Sequence, residues 1–415
     1  MRIAFISYEA PPDTLVGGIG TYVGQAARTL TARGHEVEVF TASPKTSGQL
    51  NEGGCLTHLL KCSQAFEDRL KFPKLAGEAF AKRHREKPFD VLEGPEFLAE
   101  AAAAKKLVPN IPLVVKLHMS MTLIRQLNNP PPNGWQKIKN RVKAALQPAL
   151  KLKRWKEFDY PKIELPHLLQ ADVIAAPCRA IAEVTAQMWR LDRQRMIEVP
   201  YPFVPSQRLL AIPIETKTGT VGFIGRLEQR KGVIDLTRAI PMILQRFPGT
   251  NFIFAGQSIE SPVSGVSMRD HLDQLLGPAK NRVSFPGRIE PEHMDEIFRQ
   301  MDITVLPSLW ENFPNACLEA MAAGRGVVGS SAGGMAQQLD EGKVGLLVPP
   351  KNPEAIAEAV CTLLANPVLR QELGRKARER VLSEYSADRI GLLMEQSYEQ
   401  AIRQQKAGRR EWQMA

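Results

Sequence analysis

Short apolar runs alternate with glycine turns and amphipathic stretches along this chain, in two successive series. MRIAFIS, residues 1–7, leads towards the loop GGIG at Gly17 to Gly20 and a helical pattern from about Thr21 to Arg33. Gly34 ends that pattern, and HEVEVFTA follows at once as a second strand. Strand, glycine turn, helix and strand in this order make a parallel βαβ unit. Further strands are expected at Val91–Leu92, Pro112–Leu117 and Asp172–Ala176. PSQRLLAIPIETKTG, residues 205–219, has no steady period, and TVGFIGR then opens the second series. Its strands are expected at Thr220–Ile224, Asn251–Ala255, Val283–Phe285, Ile303–Leu306, Gly326–Gly329 and Leu346–Val348. A chain of 415 residues is long for a single core. We therefore expect two α/β units, 1–205 and 206–385, joined so that a deep cleft lies between the carboxyl ends of their strands. Ligands of open parallel sheets bind at such ends.

No run approaches 18 apolar residues, which argues against a membrane span. The opening residues read as a strand rather than a secretory leader, and Cys55, Cys62, Cys178, Cys317 and Cys361 show no paired spacing. Both features fit a cytoplasmic protein. The formal charge of +10 is unevenly spread: Ala101 to Lys156 holds twelve Lys and Arg and no acid, with eight of the twelve between Lys137 and Lys156. Such a face attracts anionic lipid, a phosphorylated substrate or nucleic acid, or is simply solvated. Residues 135–156, framed by Trp135 and Trp155, suit attachment to an anionic membrane. The aromatics do not interleave with the charges as stacking platforms, so no nucleic-acid partner is expected.

Several groups carry possible chemistry. GGIG can bring backbone close to a ligand and offers free N–H groups at a helix start, although a plain tight turn uses the same residues. GRLEQRKG places Arg226 just past a strand and Lys231 five residues later. The pair suits a diphosphate, while an ordinary solvated loop remains the alternative. His118 ends LVVKLH, where a side chain can reach the cleft. The other histidines show no metal-ligand spacing, and there is no Asp-x-Asp, so no metal is expected. ENFPNACLEAMAAG sets Glu311 before a turn and Glu319 inside a helix that Asn315 is placed to cap. Ionised carboxylates accept hydrogen bonds from vicinal hydroxyls, so two such acids can hold two sugars. Helix capping and a surface salt bridge are the plainer uses.

Taken together, GGIGTYVGQAARTLTARGHEVEVFTA, VVKLH, GFIGRLEQRKGVIDLTRAI, VSFPGRI, DITVLPSLWENFPNACLEAMAAG and GGMAQQLDEGKVGLLVPP make the chain resemble a known family. It is similar, over nearly its whole length, to the GT-B-fold retaining glycosyltransferases of family GT4, the glycogen-synthase-like group. The resemblance implies two Rossmann-like domains and a final helix, about 386–405, crossing back onto the N-terminal, acceptor-binding one. It implies transfer of a sugar from a UDP-, GDP- or ADP-sugar to a hydroxyl of a saccharide or lipid-linked acceptor in envelope glycan or glycolipid synthesis, with no cofactor or metal. By motif, Glu319 would hold the ribose and Glu311 the donor sugar, helped by N–H groups around Phe313 and Asn315. Arg226 and Lys231 would bind the diphosphate, Gly17 and Gly18 would let the substrates approach, backbone near Arg288 and Ile289 would meet the base, and His118 would assist at the reaction centre. Two positions depart from the family pattern. Pro314 stands where a glycine is usual, and Gln337 replaces the glutamate of GG-x-x-E. A non-catalytic nucleotide-sugar sensor and a GT-B epimerase or hydrolase are the alternatives.

Overall fold

The computed structural model describes residues 1–14, 17–128, 158–259, 261–263 and 265–408. Two sheets organise it. The first has the order β3-β4-β2-β1-β5-β6-β7-β8. Its strands are β1 (Arg2–Ile6), β2 (Glu36–Ser43), β3 (Gly48–Glu52), β4 (Cys55–Lys61), β5 (Val91–Pro95), β6 (Leu113–Lys116), β7 (Val173–Ala176) and β8 (Met196–Glu198). All neighbours are parallel except β3, which pairs antiparallel with β4 as an edge hairpin. The second sheet, wholly parallel, runs β11-β10-β9-β12-β13-β14 through β9 (Thr220–Ile224), β10 (Asn251–Ala255), β11 (Val283–Gly287), β12 (Ile303–Leu306), β13 (Gly326–Ser330) and β14 (Leu346–Val348). Chain order reverses at β1 and again at β9, so each sheet has a crevice beside its first strand.

Helices cover both faces of the central strands, and β1, β5, β6, β7, β9, β12 and β13 are buried along their whole length. This is why they read as mainly apolar runs rather than alternating ones, with Glu93 in the middle of β5 as an exception. The expected central strands and the second-sheet strands are all present to within one or two residues, except that β5 runs three residues beyond the expected Val91–Leu92. The β3–β4 hairpin and β8 were not expected, because GQLNE is polar and largely exposed and MIE is too short to show a period. The helix after GGIG spans Gly18–Ala32 and so begins inside the glycine loop, not at Thr21. The basic residues 135–156, expected to meet a membrane, fall outside the described residues; a helix at Met121–Asn128 precedes them.

Two strands of chain run between the units side by side, Phe203 donating its N–H to Tyr385 O at 2.8 Å. Beyond this point the linker is held to the second unit. Arg370 donates to Thr216 O at 2.9 Å, Arg378 to Ile212 O at 2.8 Å, and buried Arg325 to Thr216 Oγ1 at 2.9 Å. Side-chain guanidinium groups thus satisfy carbonyls that no sheet or helix pairs. The last helix, Ala387–Lys406, returns to the first unit. There Tyr398 OH donates to Glu93 at 2.7 Å, while Arg33 and His35 both reach Glu395 at 2.8 Å. The Arg33 hydrogen bond outweighs partial burial and holds the Glu395 carboxyl at about 2. A depressed carboxylate stabilises the fold above its ordinary value of 4.5, and that contribution fades as pH falls towards 2. Glu395→Gln is expected to cost about 1–3 kcal/mol at neutral pH and to flatten the loss of melting temperature between pH 5 and 2.5. Thermal unfolding of both proteins across that range checks it.

Candidate active site

The GRLEQRKG loop follows β9, and its backbone turns twice through conformations that favour glycine. Gly225 has φ +147°, and Gly232 has φ +72° with a virtual Cβ only 2.0 Å from Pro307 O. These turns bring Arg226, Glu228, Arg230 and Lys231 to the carboxyl end of the second sheet. Glu311 arrives from the loop after β12 and makes a single parallel bridge to Gly333. A side chain at Gly333 would collide with Glu311 O at 1.9 Å.

The Glu311 carboxylate is enclosed by cations. Lys231 Nζ lies 2.6 Å away and Arg230 Nη1 3.2 Å away. Burial alone would raise this carboxyl, but Lys231 and Arg230 outweigh burial and leave it below the usual range, so it is ionised at neutral pH. Arg230 also reaches Glu228 at 2.7 Å, and Glu228 reaches Arg226 at 3.3 Å. The result is a continuous chain of alternating charge, Arg226–Glu228–Arg230–Glu311–Lys231. Arg226, at its outer end, keeps a side chain half open to solvent. Sequence reasoning singled out Arg226, Lys231 and Glu311 and missed Arg230 and Glu228. Their signal was only that the loop carries more charge than a turn requires.

The helix after ENFP spans Asn315–Ala322. Asn315 is not its cap, contrary to the sequence expectation. Pro314 occupies the cap position in an extended conformation, and no side-chain capping bond forms. Asn315 is the first helical residue, and its amide nitrogen lies 3.8 Å from where a Cβ on Gly18 would stand. The glycine loop of one unit therefore meets the start of this helix from the other. Glu319 sits in the second turn with no ion pair or hydrogen bond among the described residues, and burial raises it to about 7. Gly17, Arg226, Arg288 and Ile289 share one cavity of about 270 Å³ together with Gly256 and Met294. A Cβ on Gly256 would stand 1.8 Å from Gly225 O, so that wall is backbone packed on backbone.

His118 follows β6 and is almost wholly buried. Its backbone N–H donates to both oxygens of Glu96 at 2.8 Å. Burial, then the Lys116 ammonium, push its ring well below the usual histidine range, so it is neutral. Its Nδ1 contacts Tyr201 OH at 2.6 Å. Asn312 donates to that same phenol oxygen at 3.3 Å, and to the His118 carbonyl as well. With its oxygen accepting from Asn312, Tyr201 donates its O–H hydrogen bond to Nδ1, so the neutral ring carries its own proton on Nε2 as a donor. Phe313 is buried against Tyr201 and Tyr385, with ring centroids 5.4 and 5.3 Å apart. Gln337 bridges the units: its Oε1 accepts from Arg179 N at 2.9 Å, and its Nε2 donates to Glu198 at 3.3 Å. No group of three or more His, Cys, Asp or Glu among the described residues is arranged to hold a metal.

Two family profiles match this architecture half by half. Residues 17–202 match the glycosyl transferase 4-like domain, and residues 218–366 match the glycosyl transferases group 1. The chain is 26% identical to a glycogen synthase of Mycobacterium tuberculosis over 96% of its own length and 94% of that protein. It is 27% identical to a D-inositol 3-phosphate glycosyltransferase of Corynebacterium diphtheriae, covering 91% of this chain and 90% of that one. The fold superposes on sucrose-phosphate synthase from Thermosynechococcus elongatus with a TM-score of 0.70 and 23% identity, over 96% of this chain and 98% of the other. The molecule is a GT-B-fold glycosyltransferase. The chain belongs to the group 1 glycosyltransferases of the GT4 type, which transfer a sugar from a nucleotide-sugar donor.

Glu319 offers a direct check of the site. Only its ionised form is purely an acceptor for hydroxyls, and a carboxyl titrating near 7 ionises between pH 6 and 8. Affinity for a nucleotide-sugar, whose diphosphate does not titrate there, is expected to rise by up to about tenfold over that range. The rise should vanish in Glu319→Gln. Calorimetric titration at several pH values reads both.

Proposed function

We propose that the protein is a metal-independent, retaining glycosyltransferase whose donor is a UDP-, GDP- or ADP-sugar. Residues 1–205 with the returning helix form its acceptor side, and residues 206–385 its donor side. The observation that carries the reading is the alternating charge chain ending at Glu311 and Lys231, with Glu319, unpartnered among the described residues, on the helix whose first residue, Asn315, meets the glycine loop. In this reading Glu319 takes the ribose hydroxyls and Glu311 those of the donor sugar, beside the N–H groups of Phe313 and Asn315. The base lies against the backbone at Arg288 and Ile289, and Gly17 and Gly18 let the donor approach the first unit.

Arg226 and Lys231 take the diphosphate. Lys231 then exchanges its contact with Glu311 for phosphate, while Arg230 keeps Glu311 ionised and in place. As the anomeric C–O bond breaks, its electron pair leaves with the nucleoside diphosphate, whose growing charge the two cations stabilise. The acceptor hydroxyl adds on the same face, and its proton passes to the departing phosphate oxygen. The Nε2 proton of His118 supports a sugar hydroxyl at the reaction centre. Closure of the cleft excludes water, which would otherwise divert the donor to hydrolysis.

The acceptor in this reading is a saccharide or lipid-linked hydroxyl on the cytoplasmic side, with residues 135–156 drawing the enzyme to an anionic membrane. Sedimentation with phosphatidylglycerol vesicles, lost at high salt and absent with phosphatidylcholine, is the expected result. No helix among the described residues is long and apolar enough to cross a membrane. The reaction itself is tested by nucleoside diphosphate release from a panel of UDP-, GDP- and ADP-sugars, with and without chelator. One preferred donor, insensitivity to chelator, and a loss of about a hundredfold or more in Glu311→Ala are expected. Tight nucleotide binding without release from any donor would instead mark a sensor.

A further inference from the structure

Three loops at the carboxyl ends of the first sheet converge beside the glycine loop without taking part in the donor site. Glu9 follows β1, Arg69 closes the short helix Phe66–Arg69 after β4, and Glu100 follows β5. Arg69 reaches Glu9 at 3.1 Å and Glu100 at 3.4 Å. Its guanidinium lies over two rings, 4.5 Å from the Tyr8 centroid and 4.7 Å from that of Phe97. Its Nε is buried and has no hydrogen-bond partner among the described residues. Glu100 is anchored by the backbone N–H of Tyr8 at 2.8 Å. The second oxygen of Glu9 faces Gly17, where a Cβ would stand 2.9 Å from it. Gly17 also lines the donor cavity, so this cluster is separated from it by the thickness of one glycine.

We propose that Glu9 and Arg69, backed by Glu100 and the Tyr8 and Phe97 rings, form the acceptor subsite and select an uncharged polyhydroxylated acceptor over a phosphorylated one. This rests on the transferase reading above. The reason is electrostatic. A free arginine at this place would attract phosphate, but the Arg69 charge is already paired with Glu9, and Glu100, which burial raises to about 7, stands behind it. An entering anion must pull Arg69 from Glu9, leaving a largely buried carboxylate unpaired and facing it with like charge. A sugar hydroxyl meets no such cost: it donates to Glu9 and accepts from the guanidinium fork while the pair stays intact. The apolar face of the sugar ring can lie on Phe97. Phosphorylated compounds figure in the names of two of the proteins this chain resembles, the D-inositol 3-phosphate glycosyltransferase and sucrose-phosphate synthase. The site built here is suited to the opposite choice.

The test uses the full chain, its best donor, and acceptor probes matched in pairs: glucose and glucose 6-phosphate, fructose and fructose 6-phosphate, myo-inositol and inositol 3-phosphate, with maltodextrin as a longer neutral probe. At least one neutral probe is expected to raise nucleoside diphosphate release about tenfold over hydrolysis, and its phosphorylated twin by less than about twofold. Glu9→Gln should raise the acceptor KM and let the phosphorylated twin compete. Arg69→Lys, which keeps the charge and loses the fork, should raise the same KM and supplies a second variant if the first folds poorly. A phosphorylated probe as the better acceptor overturns the assignment. So does a response to no probe while hydrolysis proceeds. Absence of release from any donor removes the transferase reading as well.

Discussion

The side-chain amide of Asn312 ties the two units together at the point where chemistry is placed. It stands between Glu311 and Phe313 on the second unit, yet its nitrogen donates to the His118 carbonyl and to Tyr201 OH on the first. The Cys178 thiol donates to the backbone carbonyl of Asn312 at 3.2 Å and to its side-chain oxygen at 3.5 Å. The backbone there is packed so closely that a Cβ on Gly334 would meet Asn312 O at 1.9 Å. Moving Asn312 would therefore shift Glu311, turn the His118 tautomer and open the seam in one event. A single buried polar group with every partner satisfied is an economical way to fix such a geometry.

The first unit keeps several acids in its interior, and each is held by donors rather than by salt alone. Glu93 accepts from Tyr22 and Tyr398, Glu96 from the His118 backbone, and Glu164 from Thr122 and the N–H groups around it. Burial raises all three above the usual carboxylate range despite these bonds. Glu311, in the second unit, differs from these three because two cations lie against it. The same residue type is thus close to neutrality at Glu96, at about 8, and firmly ionised at Glu311. Charge is concentrated where a diphosphate sugar would lie and suppressed in the wall behind His118.

Gln337 and Pro314 show how the fold gives motif departures their meaning. Read along the chain, both stand near the donor and suggest altered sugar contacts. In the fold Gln337 is engaged with Arg179 and Glu198 across the seam, so its change from the family glutamate bears on how the units meet. Pro314 occupies the helix cap in an extended conformation that suits its fixed φ. Asn315, freed from capping, faces the glycine loop instead. Arg230 and Glu228 were legible only as extra charge, because nothing in their spacing tells which of three basic residues in one loop turns inward.

The central strands of both sheets and the positions of Arg226, Lys231, Glu311 and Glu319 along them were written in local pattern, whereas β3, β4 and β8 were not. Continuous apolar runs, glycine turns and the spacing from Glu311 to Glu319 survive folding unchanged, since they depend on neighbours in sequence. Tertiary structure alone decided which charges meet. Arg33 and His35 pair with Glu395 from the far end of the chain, Tyr201 completes His118, and Arg69 is neutralised by acids from two other loops. Such pairings depend on distances between segments that only the packed sheets determine. Coulomb and hydrogen-bond energies act on those distances and carry no trace of separation along the chain.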